Sequence, residues 1–135
     1  MSQQLVIIGN GMAATRLLSE LTATCGSELR ITVIGDEDQP GYNRVLLSRL
    51  LSEEIEAGEL VTHNRDWYAQ HHIRLLTGVR VNAIDREQKK VSLEDGRERP
   101  YDRLVLATGA RPFVPPVDGL ALDGVMTFRH MQDCQ

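Results

Sequence analysis

Leu5-Val-Ile-Ile-Gly-Asn-Gly-Met-Ala-Ala14 is the stretch on which the fold turns. Its first four residues form a short apolar run rich in β-branched side chains. That is the composition of a strand buried on both faces of a parallel sheet. Gly9-Asn-Gly11 breaks the run. Ala13, Ala14, Leu17, Leu18, Leu21 and Cys25 then recur at helical spacing, and Gly26 supplies a C-terminal stop. Leu29 to Ile34 holds the next β-branched run. The strand–helix–strand unit is about 30 residues long, the usual size of a crossover that joins two parallel strands.

Inside that unit, Gly9-Asn-Gly11-Met-Ala-Ala14 reads as G-x-G-x-x-A. Gly9 permits the tight turn, Gly11 lets a pyrophosphate approach the backbone, and Ala14 lets helix and strand pack closely. Met12 and Ala13 open the helix, where free amides and the positive helix end face the phosphates. This context predicts dinucleotide binding. The alternative is a glycine-rich strand–helix turn with no ligand. An acid closing the second strand would accept hydrogen bonds from a ribose. Asp36 and Glu37 both qualify, with Glu37 preferred, and an acid there would repel a 2′-phosphate.

Further along, Gln39-Pro40-Gly41 marks a turn, and Val45, Leu46, Leu47, Leu50 and Leu51 recur as on one helix face. Asp66 to His72 reads as a short helix anchored by Trp67, and Ile73 to Leu76 as a short strand. From Val79 the period becomes two: Val79, Val81 and Ala83, then Val91 and Leu93, alternate with polar residues. Polar turns at Arg86–Lys89 and Asp95-Gly96 complete a small antiparallel meander with one wet face. Leu104 to Ala107 is again continuous and apolar, a buried parallel strand ending in Thr108-Gly109. Pro112, Pro115 and Pro116 then enforce an extended linker.

Composition fits one globular domain of 135 residues, 41% hydrophobic and 25% charged. A net charge of −4 leaves no footprint for nucleic acid or anionic lipid. No run approaches the roughly 20 apolar residues of a membrane span, and the first residues carry no signal peptide, so a cytoplasmic chain is expected. Cys25 and Cys134 lie far apart, and His63, His71, His72 and His130 form no ligand pattern, so no metal site is expected.

Taken in order, Leu5–Ala14, the acid after the second strand, Tyr42-Asn-Arg-Val-Leu-Leu-Ser48 and Leu104-Val-Leu-Ala-Thr-Gly-Ala-Arg-Pro112 resemble the FAD- and NAD(P)H-dependent pyridine-nucleotide oxidoreductases. Ile7–Met12, the Tyr-Asn-Arg-x-x-Leu-Ser segment and Pro112-Phe-Val-Pro-Pro116 are most similar to NAD(P)H nitrite reductase large subunits and assimilatory nitrate reductase electron-transfer flavoproteins. The resemblance implies a Rossmann-like α/β fold with a parallel sheet and a small antiparallel meander, FAD as cofactor, and NAD(P)H as the electron source of the full-length parent. It implies that Gly9, Gly11, Met12, Ala13 and Ala14 hold the FAD pyrophosphate and Glu37 or Asp36 the adenosine ribose. Arg44 would reach the phosphates, Ser48 would lie near the flavin beside Arg49, and Val81 would meet adenine through its backbone. Ala107, Thr108 and Gly109 would form the turn packed beside the cofactor. The chain lacks the C-x4-C pair of the disulfide-reducing members, so disulfide reduction is not expected. On the same resemblance, residues 1–111 are the N-terminal portion of an FAD-binding domain, and 112–135 a linker entering an NAD-binding domain that is missing. The chain alone is then expected to be inactive as an NAD(P)H oxidase and to self-associate through the uncovered apolar flank. A non-catalytic adenine-dinucleotide module and a ferredoxin- or rubredoxin-reductase FAD domain are the alternatives.

Overall fold

The computed structural model describes residues 2–135. The parallel sheet is built from β1 (Gln3–Ile8), β2 (Leu29–Ile34), β3 (Arg74–Leu76) and β7 (Arg103–Leu106), in the order β3-β2-β1-β7. Between β1 and β2 runs α1 (Met12–Thr24), the crossover expected from the apolar spacing. Short helices α2 (Leu47–Leu51), α3 (Ala57–Leu60) and α4 (Arg65–Gln70) fill the β2–β3 connection. The meander is β4 (Val81–Asp85), β5 (Lys90–Leu93) and β6 (Glu98–Pro100), all antiparallel. The fold class follows the sequence reading, while α3 and the third meander strand, β6, have no counterpart in it.

β1 is central because both of its faces are apolar. Leu5 and Ile7 point to one side, where Ala14 and Leu18 of α1, Ile31 and Val33 of β2, and Tyr68 and Ile73 close a core. Val6 and Ile8 point to the other, where Ile34, Val79, Val91 and Leu93 close a second. The meander therefore covers the sheet face that α1 leaves bare. A third cluster, Tyr42, Leu47, Leu60 and Met131, ties the chain's last turn to α2 and α3. Gly26, at φ +48, follows the Cys25 cap of α1 and opens a 3-10 turn (Gly26–Glu28) that leads into β2.

Three local expectations are corrected. β7 is an edge strand rather than a buried one: Leu106 is 63% exposed, because β7 pairs only with β1 among the described residues. The anchor of α4 is Tyr68, not Trp67; Tyr68 is buried in the first core, whereas Trp67 is half-buried and stacks on His63 at 3.7 Å. The leucine-rich segment is a 3-10 turn (Arg44–Leu46) followed by α2, so its apolar side chains do not share one face: Leu47 is buried while Val45 and Leu51 are exposed. Beyond Pro112, Phe113, Val117, Leu122 and Met126 leave an exposed apolar flank. No helix among the described residues is long and apolar enough to cross a membrane.

Leu18 is fully buried between α1 and the sheet. Leu18→Ala should lower unfolding free energy by about 2–5 kcal/mol in a denaturant titration. Leu17→Ala, at a half-buried position, should cost less.

Candidate functional site

The C-terminal ends of the parallel strands are in register: Ile8 pairs with Ile34 and Leu106, and Ile34 with Leu76. The chain leaves β1 toward β2 on one side, while β7 flanks it on the other, so a crevice opens above Ile8 where the connections diverge. This is where open α/β sheets bind ligands. The crevice is a cleft of about 980 Å³. Gly9 enters it with φ +104, and its amide donates to the Ile34 carbonyl at 2.7 Å. A Cβ at Gly9 would lie 2.0 Å from the Ala107 carbonyl oxygen, so only glycine lets β1 exit beside the Ala107–Thr108 backbone.

Gly11 is the helix cap and has ordinary φ −84. Its constraint is different, since a Cβ there would meet nothing within 4 Å and would point into open space. No side chain caps α1, and no acid lies in its first turn. The first amides of the helix are left to an outside acceptor, and the axis dipole favours an anion there.

Gly9, Gly11, Met12 and Ala13 line the cleft, as do Asp36, Glu37 and Arg44. Ala107, Thr108 and Gly109 line it beside Gly9. Ala14 is buried behind the fingerprint, where it brings α1 close to the sheet. Besides Ala14, two expected site residues stand outside the cleft. Ser48 is exposed on α2. Val81 pairs with Leu93 and packs on the second core, and its neighbour Arg80 lines the cleft instead.

Charge in the cleft is uneven. Glu37 and Arg44 neutralise each other in a half-buried ion pair. The Glu37 Oε2 also accepts from the Tyr42 hydroxyl at 2.5 Å. Asp36 is exposed, with only a long 3.9 Å contact to Arg80. Arg111 and Arg129 line the cleft without a carboxylate partner among the described residues, and the Arg129 Nε is buried without any hydrogen-bond partner. Both arginines share the lining of this cleft with Gly11, Met12 and Ala13 at the start of α1. Arg129, together with Thr127 and His130, was missed in the sequence, which places this segment in a departing linker. Arg129 carries no local signal, and only the fold brings it back over Gly109.

The family model described as pyridine nucleotide-disulphide oxidoreductase matches residues 3–135. The chain belongs to this family. As a member of the pyridine nucleotide-disulphide oxidoreductases it keeps the sheet and fingerprint, but Cys25 and Cys134 are separate free thiols, not a redox pair. It is 40% identical over 131 residues to the nitrite reductase [NAD(P)H] of Bacillus subtilis (strain 168), covering 97% of this chain and 16% of that protein. It is 39% identical over 133 residues to the assimilatory nitrate reductase electron transfer subunit of the same organism, covering 98% and 17%. The ferredoxin reductase for the CYP199A2 system from Rhodopseudomonas palustris superposes with TM-score 0.88 at 29% identity, covering 98% of this chain and 33% of that one. The chain thus spans about one sixth of the length of the two Bacillus relatives. FAD with NAD(P)H is the cofactor class of the family, as the sequence resemblance implies.

The two fingerprint glycines should separate cleanly on substitution. Gly9→Ala should lower the melting temperature by about 10 °C or more, because both conformation and space are lost. Gly11→Val should melt as the unaltered chain does, yet weaken adenine-dinucleotide affinity by at least about tenfold in calorimetry.

Burial, reinforced by its hydrogen bond to Glu37, pushes the Tyr42 hydroxyl up to about 12 from an ordinary 10.0. Its contribution to stability is therefore present below pH 10 and lost as pH climbs through about 12. Absorbance at alkaline pH should show one tyrosine ionising near 12, and Tyr42→Phe should remove that step. Burial opposes the charge on Glu37, but bonds from Tyr42 and Arg44 outweigh it and hold the carboxyl below 4.5. That contribution is present above pH 4.5 and lost as pH falls through the lowered value.

Proposed function

We propose that this chain is the FAD-holding part of an NAD(P)H-dependent oxidoreductase and that it grips the cofactor by its adenosine diphosphate half. The observation that carries the reading is the cleft above Ile8. An uncapped helix N-terminus, an open approach at Gly11 and two unpaired arginines, Arg111 and Arg129, converge there. The orphaned Nε of Arg129 fits a phosphate-bearing ligand, since a buried cationic donor without an acceptor is costly. Bound FAD would supply hydride acceptance and one-electron transfer, chemistry that belongs to the cofactor.

The chain's own part is placement. The α1 amides and Gly11 take the pyrophosphate, and Arg129 and Arg111 neutralise it. Asp36, rather than Glu37, takes the ribose: it closes β2, lines the cleft and is exposed, whereas both Glu37 oxygens are already engaged by Arg44 and Tyr42. Residues 1–111 form the FAD-binding unit and 112–135 the segment leading out of it, with 129–134 folding back onto the cleft rim. Reduction of nitrite or nitrate is the setting supported by the Bacillus relatives. A ferredoxin-reductase FAD domain is the second reading, supported by the superposition at TM-score 0.88. Free thiols at Cys25 and Cys134 fit a reducing, cytoplasmic compartment.

Titration with FAD, followed by calorimetry and by the flavin absorption band, tests this reading. We expect saturable binding shared by ADP and weakened by at least about tenfold in Asp36→Ala, the loss expected for hydrogen bonds to a charged acceptor. Absence of both FAD and ADP binding would overturn it.

A further inference from the structure

Glu37 lines the proposed cofactor cleft, yet its bonds run to protein. Its Oε2 accepts from the Tyr42 hydroxyl, and its Oε1 accepts from Arg44 Nη2 and lies 3.4 Å from His130 Nδ1. The carboxylate is only 20% exposed and the Arg44 side chain 22%. Burying this pair is tolerable because each partner satisfies the other.

What the pair holds is the end of the chain. Arg44 Nη1 donates to the Tyr42 hydroxyl at 2.7 Å and to the Arg129 carbonyl at 2.8 Å. The same hydroxyl accepts the Met131 amide at 3.0 Å. The two contacts grip main chain on either side of His130. The gripped segment is itself a formed turn, since the Arg129 and His130 amides both donate to Asp133 Oδ2 at 2.8 and 2.7 Å. Met131 then plugs into the Tyr42, Leu47 and Leu60 cluster. Arg129 is thereby set over Gly109 at the cleft wall.

We infer that Glu37 is a positioning residue: it orders Tyr42 and Arg44 into a clamp on residues 129–131, and that clamp delivers Arg129 to the cofactor phosphates. The inference rests on the proposed function for its ligand, and it assigns Glu37 a task other than the ribose contact. Removing the carboxylate leaves Arg44 half-buried without its counter-charge and the Tyr42 hydroxyl without its acceptor. Arg44 then turns toward solvent, the Arg129 carbonyl loses its donor, and the turn lifts.

Two readouts test this. The first needs no ligand. Cys134 sits in the clamped turn with its thiol 3.7 Å from the Leu47 carbonyl, while Cys25 lies at the far end of α1. In Glu37→Ala, thiol labelling of Cys134, followed by mass spectrometry, should accelerate by about tenfold through local opening, with Cys25 unchanged. An unchanged Cys134 rate overturns the inference. If both thiols accelerate, the variant has unfolded, and Glu37→Gln carries the test: it keeps an acceptor for Tyr42 but loses the charge, and must still accelerate Cys134 selectively. The second readout is ADP affinity by calorimetry. Glu37→Ala should weaken ADP by about fivefold alone, but by less than about twofold on an Arg129→Ala background, because one acts through the other. Losses that multiply would make Glu37 a direct ligand and overturn the positioning role. No ADP binding by the unaltered chain would instead remove the cofactor assignment and leave the labelling test standing for the clamp.

Discussion

The Gly9 backbone passes so close to the Ala107 carbonyl that one methyl group cannot fit between them. The remaining geometry of the cleft depends on this contact. It lets two parallel strands end side by side and then part company, β1 toward α1 and β7 toward the proline-rich segment. The Ala107 amide still donates to Ile8 at 2.8 Å, so the ladder runs unbroken to the lip of the crevice. The uncapped helix start and the Ala107–Gly109 wall are thus held by sheet hydrogen bonds rather than by loop packing.

The opposite rim is built by another principle. Its residues come from irregular chain between β2 and α2 and from the last turn, and no sheet orders them. Side chains do this work: the Glu37–Arg44 pair and the Tyr42 hydroxyl join segments 85 or more residues apart. A rigid wall of backbone therefore faces a wall of polar side chains. The first suits an invariant group such as a diphosphate, and the second suits adjustment.

The rigid wall was the legible half. Strand period, helix spacing and the glycines of 5–14 are local signals, and β1, α1 and β2 followed from them. The placement of Gly9, Gly11, Met12 and Ala13 in a cleft followed too, as did the Thr108-Gly109 turn. The side-chain wall was not legible. An acid beside an acid, Asp36-Glu37, says nothing about which one will be captured by an arginine seven residues on. Trp67 outranks Tyr68 in apolar area, but Tyr68 gains the core because its hydroxyl finds Asn10 at 3.2 Å. The exposure of Leu106 depends on β7 having one neighbour, a property of the sheet and not of the strand. Arg129 could not be found from its surroundings in the chain, because tertiary contacts of residues 129–131 with Tyr42, Arg44 and Leu47 return it to the site.

The pairing of β1 with β7 also sets an order of assembly. Gln4 and Asp102 exchange bonds across a sequence separation of 98, with the Gln4 amide held by Asp102 Oδ2 at 2.7 Å. Contacts of such long separation must overcome a loop-closure entropy that short crossovers avoid. The β1–α1–β2 unit has the sequence-local contacts to form early, while the crevice comes into being only when β7 docks. During synthesis the uncapped start of α1 is complete long before the Ala107–Gly109 wall emerges. A nascent chain therefore carries a half-built cleft until β7 (Arg103–Leu106) is out.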